Sequence, residues 1–312
     1  MHLGQKGGVS VLERRRPLER LLEVVQGYER LVLLGDVVEM QQAHSEYSFP
    51  VAEPILRDLA AALGAGKPIV FVPGNHDHAL IREWSLARGE ALQREHLVPH
   101  DAGPLLRELV GWLGADRVEV RYPGVWLGER TWATHGHYLN YYLRPVSSVG
   151  VLHPRHRQRP ADPKLPGGYE HLVESPARPH VRDGLPPQRW HDRLIPVNLA
   201  PLFARGIARQ LRHHGLPAMA HAAHALGVEA EWVVFGHVHR LGPLPRDRVS
   251  DWIGIDGRQR LVNTGSWRFE PIVSHRTHPP HPYWPGGAVA IDEDGVPKVL
   301  GLLDDLTEPD IR

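Results

Sequence analysis

The chain has 312 residues, 42% of them hydrophobic and 23% charged, the composition of a globular protein rather than a disordered or fibrous one. Lys plus Arg and Asp plus Glu each number 36, so no net charge points to nucleic acid or to an anionic membrane. Cysteine is absent and no apolar run reaches 18 residues, which argues against a disulfide frame, thiolate chemistry and a spanning helix.

Residues 1–16 lack the apolar core of a signal peptide, and the missing cysteines suit a reducing compartment, so a cytoplasmic location is expected. The unusual counts are 22 His, 29 Pro and 31 Gly. Histidine is the commonest metal ligand, and position decides which of them matter.

In chain order, Leu18, Leu21, Leu22 and Val25 fall at helical spacing and predict an amphipathic helix over 10–27. The apolar run Leu31-Val32-Leu33-Leu34 ends in Gly35-Asp36, the pattern of a strand buried on both faces. A helix is expected near 51–63, then a second buried strand at 69–72 that ends in Pro73-Gly74-Asn75-His76-Asp77. Helices near 79–93 and 103–113 lead to strands at 117–121, 124–127 and 130–134, the last ending in Thr134-His135-Gly136-His137. A strand at 231–235 ends in Gly236-His237-Val238-His239. Further strands are expected at 259–263, 287–292 and 297–302, the last two joined by the hairpin signal Asp292-Glu293-Asp294-Gly295.

Strand–helix alternation implies a mainly parallel sheet with right-handed crossovers. The expected layout is a core of residues 1–138 and 231–312, with 139–230 inserted as a cap and substrate region. Residues 153–196 are rich in Pro, Arg and His, and 271–286 form another Pro-rich loop. Within 193–212, Leu199, Leu202, Phe203, Ile207 and Leu211 share one helical face, while Arg205, Arg209 and Arg212 share another. That pattern suits a helix covering the sheet, a cap helix, or one lying on a membrane surface to receive a lipid-linked phosphate. His213, His214, His221 and His224 have no nearby carboxylate or thiol, so no further metal site is expected there.

Four polar clusters each follow a predicted strand, carrying Asp36; Asn75, His76 and Asp77; His135 and His137; and His237 and His239. In an open α/β sheet the crevice beyond the strands' carboxyl ends is where ligands bind, so distant segments would converge there. The donors are oxygen and nitrogen with no sulfur, a set that suits Mn, Fe, Zn, Co or Ni. A glycine beside each cluster permits the tight turn that aims a side chain into the crevice.

In this order the clusters resemble the pattern of the calcineurin-like metallophosphoesterases, DxH, GD, GNH[DE], a His usually followed by Gly, and GHxH. The resemblance spans nearly the whole chain, and Asn263-Thr264-Gly265-Ser266-Trp267 resembles the family's NxGS turn. It implies an α/β fold, a mixed β-sandwich flanked by helices with an inserted cap. It also implies a hydrolase acting on a phosphomonoester, phosphodiester or pyrophosphate with two divalent transition metals. By that resemblance Asp36 would bridge the metals, Asn75, His135 and His237 would complete one site, and His239 with His2 would serve the other. Such a pair would lower the pKa of a bridging water to generate hydroxide and would clamp the phosphoryl oxygens. His76 would lie beside the phosphate, stabilising its charge or protonating the leaving oxygen, and Asp77 would hold that imidazole in the useful tautomer. His137 is left open between the phosphate pocket and the surface.

Two departures stand out. Met1-His2-Leu3-Gly4 resembles the tail of a D-x-H-L-G motif, which makes His2 the motif His. The expectation is therefore an in-frame apolar strand ending in Asp just upstream of Met1, with any targeting segment upstream too. Glu39 stands where many relatives place Asp and is not expected to touch metal. A non-catalytic scaffold on the same fold is the rival from another class, and retention of His76 with the ligand residues favours an enzyme. A nuclease is disfavoured by zero net charge and by the lack of a basic run interleaved with aromatics. The expected partner is thus a small-molecule or lipid-linked phosphate, not nucleic acid, with peripheral membrane contact left open.

Overall fold

Short apolar runs punctuated by glycine and proline become strands whose alternate residues face different layers. A computed structural model describes residues 1–5, 10–41, 43–142, 163–170, 214–274 and 276–312. In chain order its main elements are α1 (Arg15–Val25), β1 (Leu31–Leu34), α2 (Ser45–Leu63), β2 (Ile69–Val72), α3 (Arg82–Arg88), β3 (His96–Val98) and α4 (Pro104–Leu113). Next come β4 (Val118–Tyr122), β5 (Gly124–Trp126), β6 (Thr131–Thr134), a helix α5 over 214–225, β7 (Trp232–Phe235), β8 (Arg260–Asn263), β9 (Gly287–Ile291) and β10 (Pro297–Gly301).

The first sheet has the order β1-β2-β4-β3, with β1, β2 and β4 parallel and β3 antiparallel at the far edge. The second has the order β5-β6-β7-β8, with β6, β7 and β8 parallel and β5 antiparallel to β6. β9 and β10 form an antiparallel pair.

The two sheets face each other across a thin apolar layer in which Val70 and Val72 of β2 meet Ala133, Val234 and Val262. The intervening residues of β2, Ile69 and Phe71, turn outward onto α1, α2 and α4. On the second sheet Trp132, Val233 and Phe235 turn outward beneath α5, whose Leu216, Met219 and Ala223 cover them. Burying one such side chain contributes about 1.5–3 kcal/mol, so the near-continuous apolar runs are explained by two covered faces. The architecture is the expected α/β sandwich flanked by helices.

Element bounds differ from expectation in several places. The first helix is a 3₁₀ turn, Val11–Glu13, followed by α1. α2 starts at Ser45 and carries Pro50 and Pro54 inside it, because Ser48, Phe49 and Ala52 are already buried and their packing offsets the lost backbone donors. The predicted helix over 79–93 is broken at Gly89, and β3 is an edge strand whose three residues carried no readable alternation. Of the inserted segment, 139–142, 163–170 and 214–230 are described; Leu139, Tyr169 and Leu216 to Ala230 pack on the second sheet's side, while Glu170 reaches Ser85 and Tyr122 on the other. The expected helix over 193–212 and His213 lie outside the described residues. Among the described residues, no helix is long and apolar enough to cross a membrane.

Candidate metal centre

Each carboxyl end of β1, β2, β6 and β7 delivers a polar residue to the same place, where the two sheets meet. Asp36 follows β1, Asn75 and His76 follow β2, His135 follows β6, and His237 and His239 follow β7. Asp36 lies at the middle, 3% exposed. Its Oδ2 stands 3.2 Å from His135 Nε2 and 3.6 Å from His2 Nε2, and its Oδ1 accepts the His76 backbone N–H at 2.9 Å. Asn75 Oδ1 lies 3.1 Å from His135 Nε2, His237 Nδ1 3.3 Å from His135 Nε2, and His2 Nε2 3.1 Å from His239 Nε2.

The local backbone is unusual. Among the described residues, the non-glycine positions with positive φ are His2 (57°), Asp36 (50°), His237 (64°), His239 (55°) and Arg276 (56°). Left-handed backbone costs a side-chain-bearing residue about 1–3 kcal/mol, and four of these five positions carry the clustered groups. The glycines serve two purposes rather than one. Gly35 has φ 74°, and a Cβ on it would stand 2.3 Å from His135 Nδ1. Gly74 has no positive φ, yet a Cβ there would lie 2.5 Å from Asp36 Oδ1, so what it supplies is close approach.

Every clustered imidazole is held from behind. His135 Nδ1 donates to the Leu34 carbonyl at 3.2 Å, His237 Nε2 to Asn140 Oδ1 at 3.0 Å, and His239 Nδ1 to Glu270 Oε1 at 2.6 Å. Glu39, 0% exposed, takes His76 Nδ1 at 2.8 Å and His2 Nδ1 at 3.4 Å. With N–H assigned to each outward nitrogen, the inward nitrogens of His135 and His2 present lone pairs to Asp36, and those of His237 and His239 face His135 and His2. Burial first, then neighbouring positive groups, press His2 and His237 down to about 3, so both stay neutral and open to a metal. Burial raises the Asp36 carboxyl, but His135, His76 and His2 outweigh it and hold the group well below its usual range. Glu270 is likewise held at about 2: burial opposes ionisation, and His239 overcomes it.

Two sequence expectations are corrected here. Asp77 does not hold the His76 ring. Its oxygens accept the backbone N–H groups of Val37 at 2.7 Å and Gly74 at 2.6 Å, so it ties the two loops that carry Asp36 and Asn75. The ring's partner is Glu39, the residue that stands where many relatives place Asp. His137 is not at the surface; its ring centroid lies 5.7 Å from that of His135. It is buried against Tyr138, with Nε2 3.3 Å from the Tyr122 hydroxyl and no hydrogen-bond partner for Nδ1. Asn263, in the Asn-Thr-Gly-Ser turn, donates Nδ2 to the Gly236 carbonyl at 2.6 Å and so braces the loop that carries His237.

The expected ligand residues His2, Asp36, Asn75, His135, His237 and His239 therefore meet, with His76 among them and Asp77 behind. Sequence reasoning missed Glu39, Asn140 and Glu270 as supports. Glu39 was within reach, since it follows Asp36 by three positions, whereas Asn140 and Glu270 carried no signal. The profile of the family described as calcineurin-like phosphoesterase matches residues 9–241, from before Asp36 to beyond His239. No curated protein matches the chain in sequence.

Proposed function

The chain belongs to the calcineurin-like phosphoesterases, and from there we propose that it hydrolyses a phosphate ester or anhydride with two divalent metals held by His2, Asp36, Asn75, His135, His237 and His239. One observation carries this reading. Two groups of donor residues, His2 with His76 and His135 with His237, each include Asp36, and within each group the donor atoms lie within 4.8 Å of one another. A carboxylate shared by two groups of imidazoles fits a bridged pair of ions, and the sulfur-free donor set suits Mn, Fe, Zn, Co or Ni. Such ions, when bound, supply an acidified water and a clamp on phosphoryl oxygens.

The remaining work belongs to this chain's own groups. His76 Nδ1 is engaged by Glu39, which leaves Nε2 without a protein partner among the described residues and able to hold a proton toward a leaving oxygen. Burial disfavours its charged form, but the Glu39 hydrogen bond and the Asp36 charge raise its pKa overall, as a proton donor near neutrality requires. Substrate choice we assign to the segment 139–230, because Asn140 near its start touches His237. A small-molecule phosphate, free or lipid-linked, is the class we favour.

The test is hydrolysis of an aryl phosphate monoester and an aryl phosphodiester by protein loaded with Mn, Fe, Zn, Co or Ni, set against chelator-treated protein. Metal-dependent turnover of at least one substrate is expected. Stoichiometric metal uptake with no hydrolysis of either would sink the enzymatic reading and favour a scaffold.

A further inference from the structure

The imidazoles of the donor cluster lean on supports of different kinds. Glu39 and Glu270 offer carboxylates and Leu34 a carbonyl, groups that only accept hydrogen bonds. The support of His237 is a side-chain amide, Asn140, and an amide carries two N–H donors besides its acceptor oxygen. His237 turns Nδ1 toward His135 Nε2 at 3.3 Å, which leaves its own Nε2 to carry the proton given to Asn140. The acceptor, 3.0 Å away, is therefore Oδ1, and Nδ2 is the end left over.

Among the described residues Nδ2 has no partner, and Asn140 is exposed. Its neighbours are anchored. Gly136, at φ 100°, turns the chain from β6 into a short 3₁₀ helix, His137–Tyr141. Tyr138 and Leu139 are buried there, Tyr138 donates to Glu170, and its ring stacks on Tyr169 with centroids 5.1 Å apart. Leu139 N–H and Tyr142 N–H close the turn onto the Gly136 and Leu139 carbonyls at 3.1 and 2.9 Å. Asn140 is an open amide on a rigid mount, one imidazole ring removed from the inward Nδ1 of His237. An anion entering beside His237 also meets the carboxylates of Asp36 and Glu270, so N–H groups at the rim are what offset that repulsion.

With the substrate class taken from the proposed hydrolysis, we propose that Asn140 is a substrate-binding residue: Oδ1 accepts from His237 while Nδ2 donates to a non-bridging oxygen of the substrate's phosphoryl group. One side chain then orients a ring of the donor cluster and holds the anion beside it. The inserted segment meets the substrate at its first exposed residue. A carboxylate in the same place would support the ring as well as the amide does, but would face the phosphate with a negative charge and no donor. The isosteric variant Asn140→Asp therefore separates the two tasks.

The experiment measures two affinities by calorimetry in the full chain, in Asn140→Asp and in Asn140→Ala: that for Mn, and that of the Mn-loaded protein for inorganic phosphate. Asn140→Asp is expected to hold Mn within about twofold of the parent while its Kd for phosphate rises about tenfold or more. That rise should persist in about 0.5 M salt, where repulsion between separated exposed charges is screened. Asn140→Ala removes acceptor and donor together, so Mn should weaken by about 10–100-fold and phosphate with it. Unchanged phosphate affinity in Asn140→Asp would overturn the proposal and leave Asn140 a support of His237 alone. So would a loss of phosphate affinity that salt abolishes, or one that merely follows a loss of Mn. The proposed hydrolysis is scored apart, by turnover of the parent chain, so its failure and the failure of the Asn140 contact show in different measurements.

Discussion

Asp36 is shared by both donor groups, and no other residue is. Asp36→Asn keeps the shape but removes the charge, so metal content should fall and hydrolysis should drop to background; elemental analysis beside turnover at saturating metal decides it. His76 is different, since geometry alone allows it to be a ligand. If it handles a proton instead, His76→Ala lowers turnover by about 10²–10⁴ with metal content unchanged, and loss of metal in step with activity would make it a ligand. Glu39→Gln weakens the support of that ring and removes a negative charge that raises its pKa. A proton-donating His76 is lost as pH rises through its pKa, so the variant's alkaline limb of kcat/KM should move to lower pH. The donors themselves were legible because each follows an apolar run and a glycine. The supports were not, because a support faces a side chain from a remote segment: Glu270 meets His239 across 31 positions, and Glu39 meets His76 across 37. Assigning Asp77 to His76 went by adjacency in sequence, and adjacent side chains here point to different partners.

At the scale of elements, residues 163–170 enter the core through Glu170. This carboxylate, 7% exposed, accepts hydrogen bonds from Tyr122 at 2.8 Å, Ser85 at 2.5 Å, Tyr138 and His78, tying the inserted segment to β4 and to the turn after Asp77. Glu170→Gln turns one acceptor into a donor facing donors, and should cost about 1–3 kcal/mol in denaturant unfolding. Burial raises the Glu170 pKa, but His78, Ser85 and Tyr138 lower it further, to a net value below 4.5. A depressed carboxylate adds stability that is present above its unfolded value and disappears as pH falls through the folded one. Wild-type stability should therefore decline below pH 4.5 more steeply than that of the variant, and parallel pH profiles would count against the role. None of this was visible beforehand, because the network joins positions 78, 85, 122, 138 and 170 with no periodic pattern. The strands were visible, since β1, β2, β6 and β7 are nearly uninterrupted apolar runs, whereas β3 holds only His96, Leu97 and Val98.

For the whole molecule the decisive fact is that the donors come from two sheets. Asp36, Asn75 and His76 stand on the first and His135, His237 and His239 on the second, with a thin apolar layer between the sheets. Metal should then tie the sandwich together. Ion at 100 times its Kd adds about 2.7 kcal/mol to unfolding if it binds only the folded chain. Chelator should lower the Tm, added metal should restore it, and Asp36→Asn should abolish the difference; a Tm indifferent to metal would mean that the cluster does not bridge the sheets. The layers were readable in outline from alternation, but which face met helices and which met the other sheet was not. The left-handed backbone at His2, Asp36, His237 and His239 has a consequence for anyone who breeds this protein. Glycine adopts that conformation without strain, so without metal the backbone at these four positions carries a cost that glycine would relieve, least offset at His237, whose outward partner Asn140 is uncharged. A library screened in chelator for heat resistance alone should accumulate glycine at these positions and lose the site first, whereas one screened with metal present should keep it.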